Sequence, residues 1–120
     1  MTTTKLQGRW GEEKAAEYLR KKGYNITALG YRTRHGEIDI IAESRKYIVF
    51  VEVKLRKSSD FAEAREFVDV SKQRRIRATA MTWLQQNESD LQPRFDVIEI
   101  YAPDGIVTKK PAINHIENAF

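Results

Sequence analysis

The chain contains no cysteine. Disulfides, thiolate metal sites and cysteine nucleophiles are therefore excluded, and a reducing, cytosolic setting fits this composition best. No apolar run comes near the ~20 residues that a membrane helix needs. The longest, Tyr47–Val51, is of strand size. Residues 1–5 hold no apolar signal core, so the expectation is a cytoplasmic protein rather than a secreted one. Internal repeats, low-complexity tracts and long linkers are also missing, so residues 1–120 are expected to form a single domain.

What is present is ordinary in amount and informative in placement. Hydrophobic residues make up 41% and charged residues 32% of the chain, enough to bury a core without staples. The formal net charge of +4 is compatible with a polyanionic partner and does not by itself require one. The positive charge is clustered. Residues 71–80 carry four basic side chains and no acid, and residues 54–57 carry three more.

Residues 8 to 22 read as a helix. Glu12, Ala15, Ala16 and Leu19 share one face, and Gly23 is a natural stop. A strand is expected around Asn25 to Tyr31. The His35-Gly36 pair marks a turn, and the β-branched stretch Glu37 to Ala42 reads as a second strand. Residues 43–46 have the length of a hairpin connection. Tyr47 to Lys54 is almost continuously apolar, which predicts a central strand covered on both faces. Residues 55–68 carry no clear pattern beyond a helical turn around Ala62 to Phe67. A second helix is expected from Ser71, as N-cap, to Gln86, with Ile76, Ala80, Trp83 and Leu84 as its buried stripe. Arg94 to Tyr101 reads as a strand, residues 103–105 as a turn, and Ile106 to Val107 as the start of an edge strand. This order of elements predicts an α/β fold, a three-layer α/β/α sandwich with a central mixed sheet.

The chemistry sits in Asp39 and, thirteen residues later, Glu52 and Lys54. Residues two apart on a strand point the same way, so Glu52 and Lys54 project together while Val51 and Val53 fill core behind them. Ionisable groups on an apolar central strand are costly unless paired. If the hairpin pairs as read, Asp39 comes close to both. Two adjacent carboxylates repel, and a divalent cation offsets that repulsion. Mg²⁺ or Mn²⁺ suits such oxygen ligands, can activate water and can stabilise charge at a phosphate. Lys54 would then orient the water or steady the oxyanion. The plainer alternative is a Glu52–Lys54 ion pair with Asp39 at the surface. Glu12, on the apolar face of its helix, has two open readings: a fourth member of the cluster, or a charge that complements the helix N-terminus.

The runs Gly8–Tyr24, Gly36–Ala42, Phe50–Lys54, Lys72–Arg75, Arg94–Asp96 and His115–Phe120 together resemble the YraN/UPF0102 family over essentially the whole chain. That family is similar to archaeal Holliday-junction resolvases and through them to the PD-(D/E)xK, restriction-endonuclease-like nucleases. In that pattern a helical Glu stands eleven positions before a Gly-aromatic pair, as Glu12 does before Gly23 and Tyr24. The resemblance implies metal ligands at Asp39, Glu52 and Glu12, a catalytic Lys54, and metal-dependent hydrolysis of phosphodiester bonds, with DNA as the partner. Branched or damaged DNA and a homodimer are further implications. One departure is Ile38, which stands where the superfamily's name has a proline.

Other side chains are candidates for binding substrate. Arg74, Arg75 and Arg77 could meet phosphates, and cations near a helix N-terminus lack dipole support, which points to an external reason for them. Gln73 could position substrate or water, although a solvated helix face is the slightly simpler reading. Arg32, Arg34 and His35 precede the acidic strand and could line the same cleft; for His35 alone a turn residue is the simpler reading. Glu37 is a candidate auxiliary ligand. Trp10 and Trp83 read as packing residues. Against the nuclease stand two alternatives: a non-catalytic nucleic-acid-binding module with a vestigial site, and an interaction protein that merely retains the charges.

Overall fold

The computed structural model describes residues 4–57 and 68–120. In chain order it contains α1 (Thr4–Lys21), β1 (Asn25–Thr33), β2 (Gly36–Glu43), β3 (Tyr47–Arg56), α2 (Val70–Gln86), β4 (Gln92–Tyr101), a 3₁₀ turn (Gly105–Val107) and β5 (Ala112–Ile116). The five strands form one sheet in the order β1-β2-β3-β4-β5. Only β3 and β4 run parallel; the other neighbours are antiparallel, so the sheet is mixed. The α/β class expected from the sequence is the class observed, and β3 is its central strand.

Alternation along β3 decides how the layers stack. Val49 and Val51 join Ala15, Ala16 and Leu19 of α1 in one core cluster. Ile48 and Phe50 join Ile76 and Ala80 of α2 in the other. One helix therefore covers each face, and β3 is apolar on both sides because both sides are packed.

The local endings follow from local chemistry. α1 starts four residues before the expected Gly8 and stops where the sequence suggests. Gly23 lies at φ 97°, and the N–H groups of Gly23 and Tyr24 close on the carbonyls of Arg20 and Leu19 at 3.0 Å each. This paired closure caps the helix and needs a residue that tolerates positive φ. The N-cap of α2 is a correction. Asp69, not Ser71, caps it, its carboxylate accepting from the Lys72 N–H at 2.8 Å. An anion there also complements the helix dipole. Within α2, Thr79 is buried beside Ile76 and Ala80, while Trp83 and Leu84 pack only partly. Thr79 resolves its polarity by donating to the Arg75 carbonyl at 2.8 Å. Ile106 to Val107 is the second correction. It forms a 3₁₀ turn, and the edge strand begins later, at Ala112. The turn expected around Ala62 to Phe67 lies outside the described residues. Among the described residues no helix is long and apolar enough to cross a membrane.

One irregularity positions the site. Pairing of β2 with β3 runs from Glu43↔Ile48 to Ile40↔Val51 and ends there. Ile40 faces the α1 cluster, yet Ile38, two residues away, faces the α2 cluster. Strict alternation would put both on one face, so the strand turns over at Asp39. Its partner β1 turns with it: Tyr31, opposite Ile38, also faces α2, and Gly30 between Leu29 and Tyr31 takes φ 63°. Glycine adopts a positive φ without the strain that a β-carbon brings. The hairpin tip thereby peels away from β3 and leans on α2.

Candidate metal centre

The opening between β2 and β3 is where the acidic residues gather. Asp39 sits one residue beyond the last paired position. Its Oδ2 accepts the N–H of Val53 at 2.8 Å, a side chain completing the ladder that the backbone has left. Glu52 points to the α2 side and is only 7% exposed. Asp39, Glu52, Glu37, Gly36, Lys72, Arg75 and Ile76 line a cleft of about 190 Å³. Glu12 reaches the same region from α1, lining an adjoining cleft with Arg9, Arg32 and the shared Glu37. Carboxylate oxygens of Glu12, Glu37 and Asp39 lie within 4.8 Å of one another.

The electrostatics record the crowding. Burial pushes the Asp39 carboxyl up, the charges of Glu52, Glu12 and Glu37 push it further, and the Val53 N–H opposes them; the result is about 8. Glu12 is also raised, first by burial, then by Glu37 and Glu52, with Arg9 acting against them. Positive charge is unevenly supplied. Lys72 forms an ion pair with Glu52, and Arg32 holds Glu37 at 2.7 Å. Neither Asp39 nor Glu12 has an ion-pair partner among the described residues.

The remaining candidates fall at different distances from this cluster. Arg75 lines the cleft. Arg34 and Arg74 are exposed. Gln73 is turned to its own helix start, donating to the Val68 carbonyl at 2.8 Å. Arg77 stacks over Phe95 and Phe120, 4.7 and 5.7 Å from the ring centres. Lys54 is partly buried and has no ion pair among the described residues. It does not line the cleft, and in the sheet it stands beside Glu99 of β4. His35 lies in the hairpin turn, its N–H donating to the Thr33 hydroxyl at 3.1 Å.

Two features escape a reading of the sequence. Lys72 looked like one more member of a basic helix start, with no sign that it meets Glu52. The second is a buried polar network on the α1 side of β4. Asp96, fully buried, receives two 2.8 Å bonds from Arg94, one of 2.7 Å to His115 Nε2, and the Asn118 N–H at 3.0 Å. Arg94 continues to the Tyr24 hydroxyl, and His115 Nδ1 lies 3.2 Å from the Tyr18 hydroxyl. Burial would raise the Asp96 carboxyl, but the bonds from His115 and Arg94 outweigh it and hold the group below its ordinary value. Among the described residues no buried side-chain nitrogen or oxygen lacks a hydrogen-bond partner, and this network fastens the C-terminal segment to α1 and β4.

Fold and site together define an α/β protein with a mixed five-stranded sheet and a carboxylate cluster where two of its strands part. Residues 11–100 match the family described as "Uncharacterised protein family UPF0102". The chain is 48% identical over 116 residues to a UPF0102 protein of Alkaliphilus oremlandii, covering 94% of this chain and 96% of that one. It is 45% identical over 118 residues to one from Caldanaerobacter subterraneus, covering 97% and 95%. A third, from Syntrophomonas wolfei, is 44% identical over 114 residues, covering 94% and 96%. This chain belongs to the UPF0102 family.

Proposed function

We propose that this protein is a cytoplasmic, metal-dependent endonuclease of the restriction-endonuclease-like, PD-(D/E)xK kind, which hydrolyses phosphodiester bonds in DNA. The observation that carries the reading is Asp39: a half-buried carboxyl beside three others, with one N–H and, among the described residues, no ion-pair partner set against it. The donors are hard oxygens, as Mg²⁺ or Mn²⁺ requires. Glu12, Glu37 and Asp39 bring carboxylate oxygens close enough together to hold the ion, and Glu52, which lines the same cleft, would complete the set. The ion supplies Lewis-acid stabilisation at phosphate and an acidified water.

The chain's own residues do the rest. Asp39, tied to Val53, fixes the geometry of the cluster. Arg75 at the cleft and exposed Arg34 and Arg74 nearby in sequence give phosphates something to meet. Lys54 would steady the developing oxyanion. Arg77, Gln73 and Arg32 already have partners within the chain and contribute to substrate binding only by exchanging them. Branched or damaged DNA is the substrate class favoured by the likeness to resolvases, and a homodimer would suit its two-fold symmetry.

A second reading, a binding module with a vestigial site, is favoured by one observation. Lys72 and Arg32 neutralise two of the four carboxylates from within. One experiment separates the readings. Purified protein is incubated with branched, single-stranded and duplex DNA and Mg²⁺ or Mn²⁺. The nuclease cuts at least one of them, and Asp39→Asn and Glu52→Ala lower the rate by about 10²-fold or more, the loss expected when several kcal/mol of charge stabilisation disappear. Cutting that survives both substitutions belongs to a contaminant. Salt-sensitive binding without cutting under either metal supports the binding module.

A further inference from the structure

Lys72 sets a positive charge of the chain's own against the most buried carboxylate of the cluster. Glu52 is 7% exposed on its side chain and Lys72 39%. A cation in the first turn of a helix stands at the unfavourable end of the dipole, so its place is explained by Glu52 and not by α2. Its backbone is fixed, because Asp69 caps the helix through the Lys72 N–H. Its ammonium is not fixed in the same way. It rides on a flexible four-carbon stem and has solvent on one side.

We propose that Lys72 is a resident counter-ion of the carboxylate cluster, which a divalent cation must displace from Glu52 in order to bind. This rests on the reading of the cluster as a cation centre. A buried carboxylate is costly without a positive partner, and Lys72 supplies one to Glu52. A divalent ion held by the same carboxylates takes over the role, and two cations a few ångströms apart repel. The displaced ammonium keeps its anchor at the cleft, where Arg75 also lies. Two cationic donors at one rim suit a phosphate. Lys72 thereby couples loading of the centre to readiness for an anionic substrate, acting as a positioning residue.

The test uses Mn²⁺ alone, without DNA. Calorimetric titration of K72M should give Mn²⁺ binding about tenfold tighter than wild type, the effect of removing one opposing charge at short range, and K72R should stay close to wild type. An independent measurement uses the unaltered protein. Acetylation of Lys72 by a small acylating reagent, followed residue by residue by mass spectrometry, should speed up when Mn²⁺ is added, while Lys109 is labelled at a constant rate. An unchanged affinity in K72M, or an unchanged labelling rate in the wild type, overturns the proposal. Binding lost in D39N would then leave the cation centre itself standing. Absence of Mn²⁺ binding in every protein, wild type included, overturns the cation centre and this inference with it.

Discussion

Asp96 is fully buried and Asp39 half-buried, and their surroundings push them in opposite directions. Asp96 is met by His115, Arg94 and a backbone N–H, which hold its carboxyl below the ordinary range. Asp39 is met by other carboxylates and rises from 3.8 to about 8. The consequences for stability have opposite signs. Between those two values the folded protein keeps a proton on Asp39 that the unfolded chain releases, so raising the pH favours unfolding. The stability attached to Asp39 is complete below the unfolded value and is lost as pH rises through the folded one. For Asp96 the stability is present above the unfolded value and is lost as pH falls through the folded one. Melting temperatures in EDTA should therefore fall from about pH 5 to about pH 8.5 in the wild type, the window set by the Asp39 shift. In Asp39→Asn that fall should flatten, while the loss of stability in acid should remain. Equal slopes in the two proteins would contradict the account of Asp39.

At the scale of elements, the site depends on the hairpin tip leaning against α2. Gly36 makes the approach possible. It lies at φ 154°, and a Cβ there would sit 3.4 Å from Arg75 Cβ and 3.5 Å from Thr79 Oγ1. Gly36→Ala should cost about 1–2 kcal/mol in urea denaturation, from an unfavourable backbone conformation and a crowded contact. It should also weaken Mn²⁺ binding, because Glu37 and Asp39 follow on the same strand. A destabilised protein with unaltered Mn²⁺ affinity would show that the tip is not what sets the cluster. Much of this level was legible in advance. The apolar run Tyr47–Lys54 could only be a central strand, and its period of two placed Glu52 opposite the apolar filling of Val51 and Val53. The strand's reversal at Asp39 was not legible, because it arises from β2 leaving β3, a tertiary event with no local residue signal beyond Gly30. The cap of α2 was missed for a simpler reason. Asp69 closes a stretch without periodicity, and Ser71 is an equally good capping residue by type. Ile106 to Val107 has strand composition, but the Pro103–Gly105 turn runs directly into a 3₁₀ turn, leaving no room to pair.

For the whole molecule, the sheet is best understood as two parts that separate. β3, β4 and β5 stay together, while β2, with β1 paired to its other edge, pairs with β3 only at one end. The gap lets Glu12 of α1 and Lys72 of α2 approach one cluster from opposite layers, which no single element could arrange. The sequence made Glu12, Asp39 and Glu52 visible because each is a charge in an apolar pattern. Glu37 and Lys72 were far less visible, since both stand among other charges and only the packing distinguishes them. The buried Arg94–Asp96–His115 network was invisible as a network because His115, on β5, meets the Arg94–Asp96 pair of β4 only across the sheet.

The cluster at the parting of β2 and β3 is proposed to bind a divalent cation. Diffraction from crystals soaked in Mn²⁺, recorded where manganese scatters anomalously, tests it most directly. The account predicts one strong peak about 2.1–2.3 Å from carboxylate oxygens of Asp39 and at least one of Glu52 and Glu12, a distance typical of hard oxygen ligands. A protein that takes up no manganese there, with Lys72 still seated on Glu52, would contradict it.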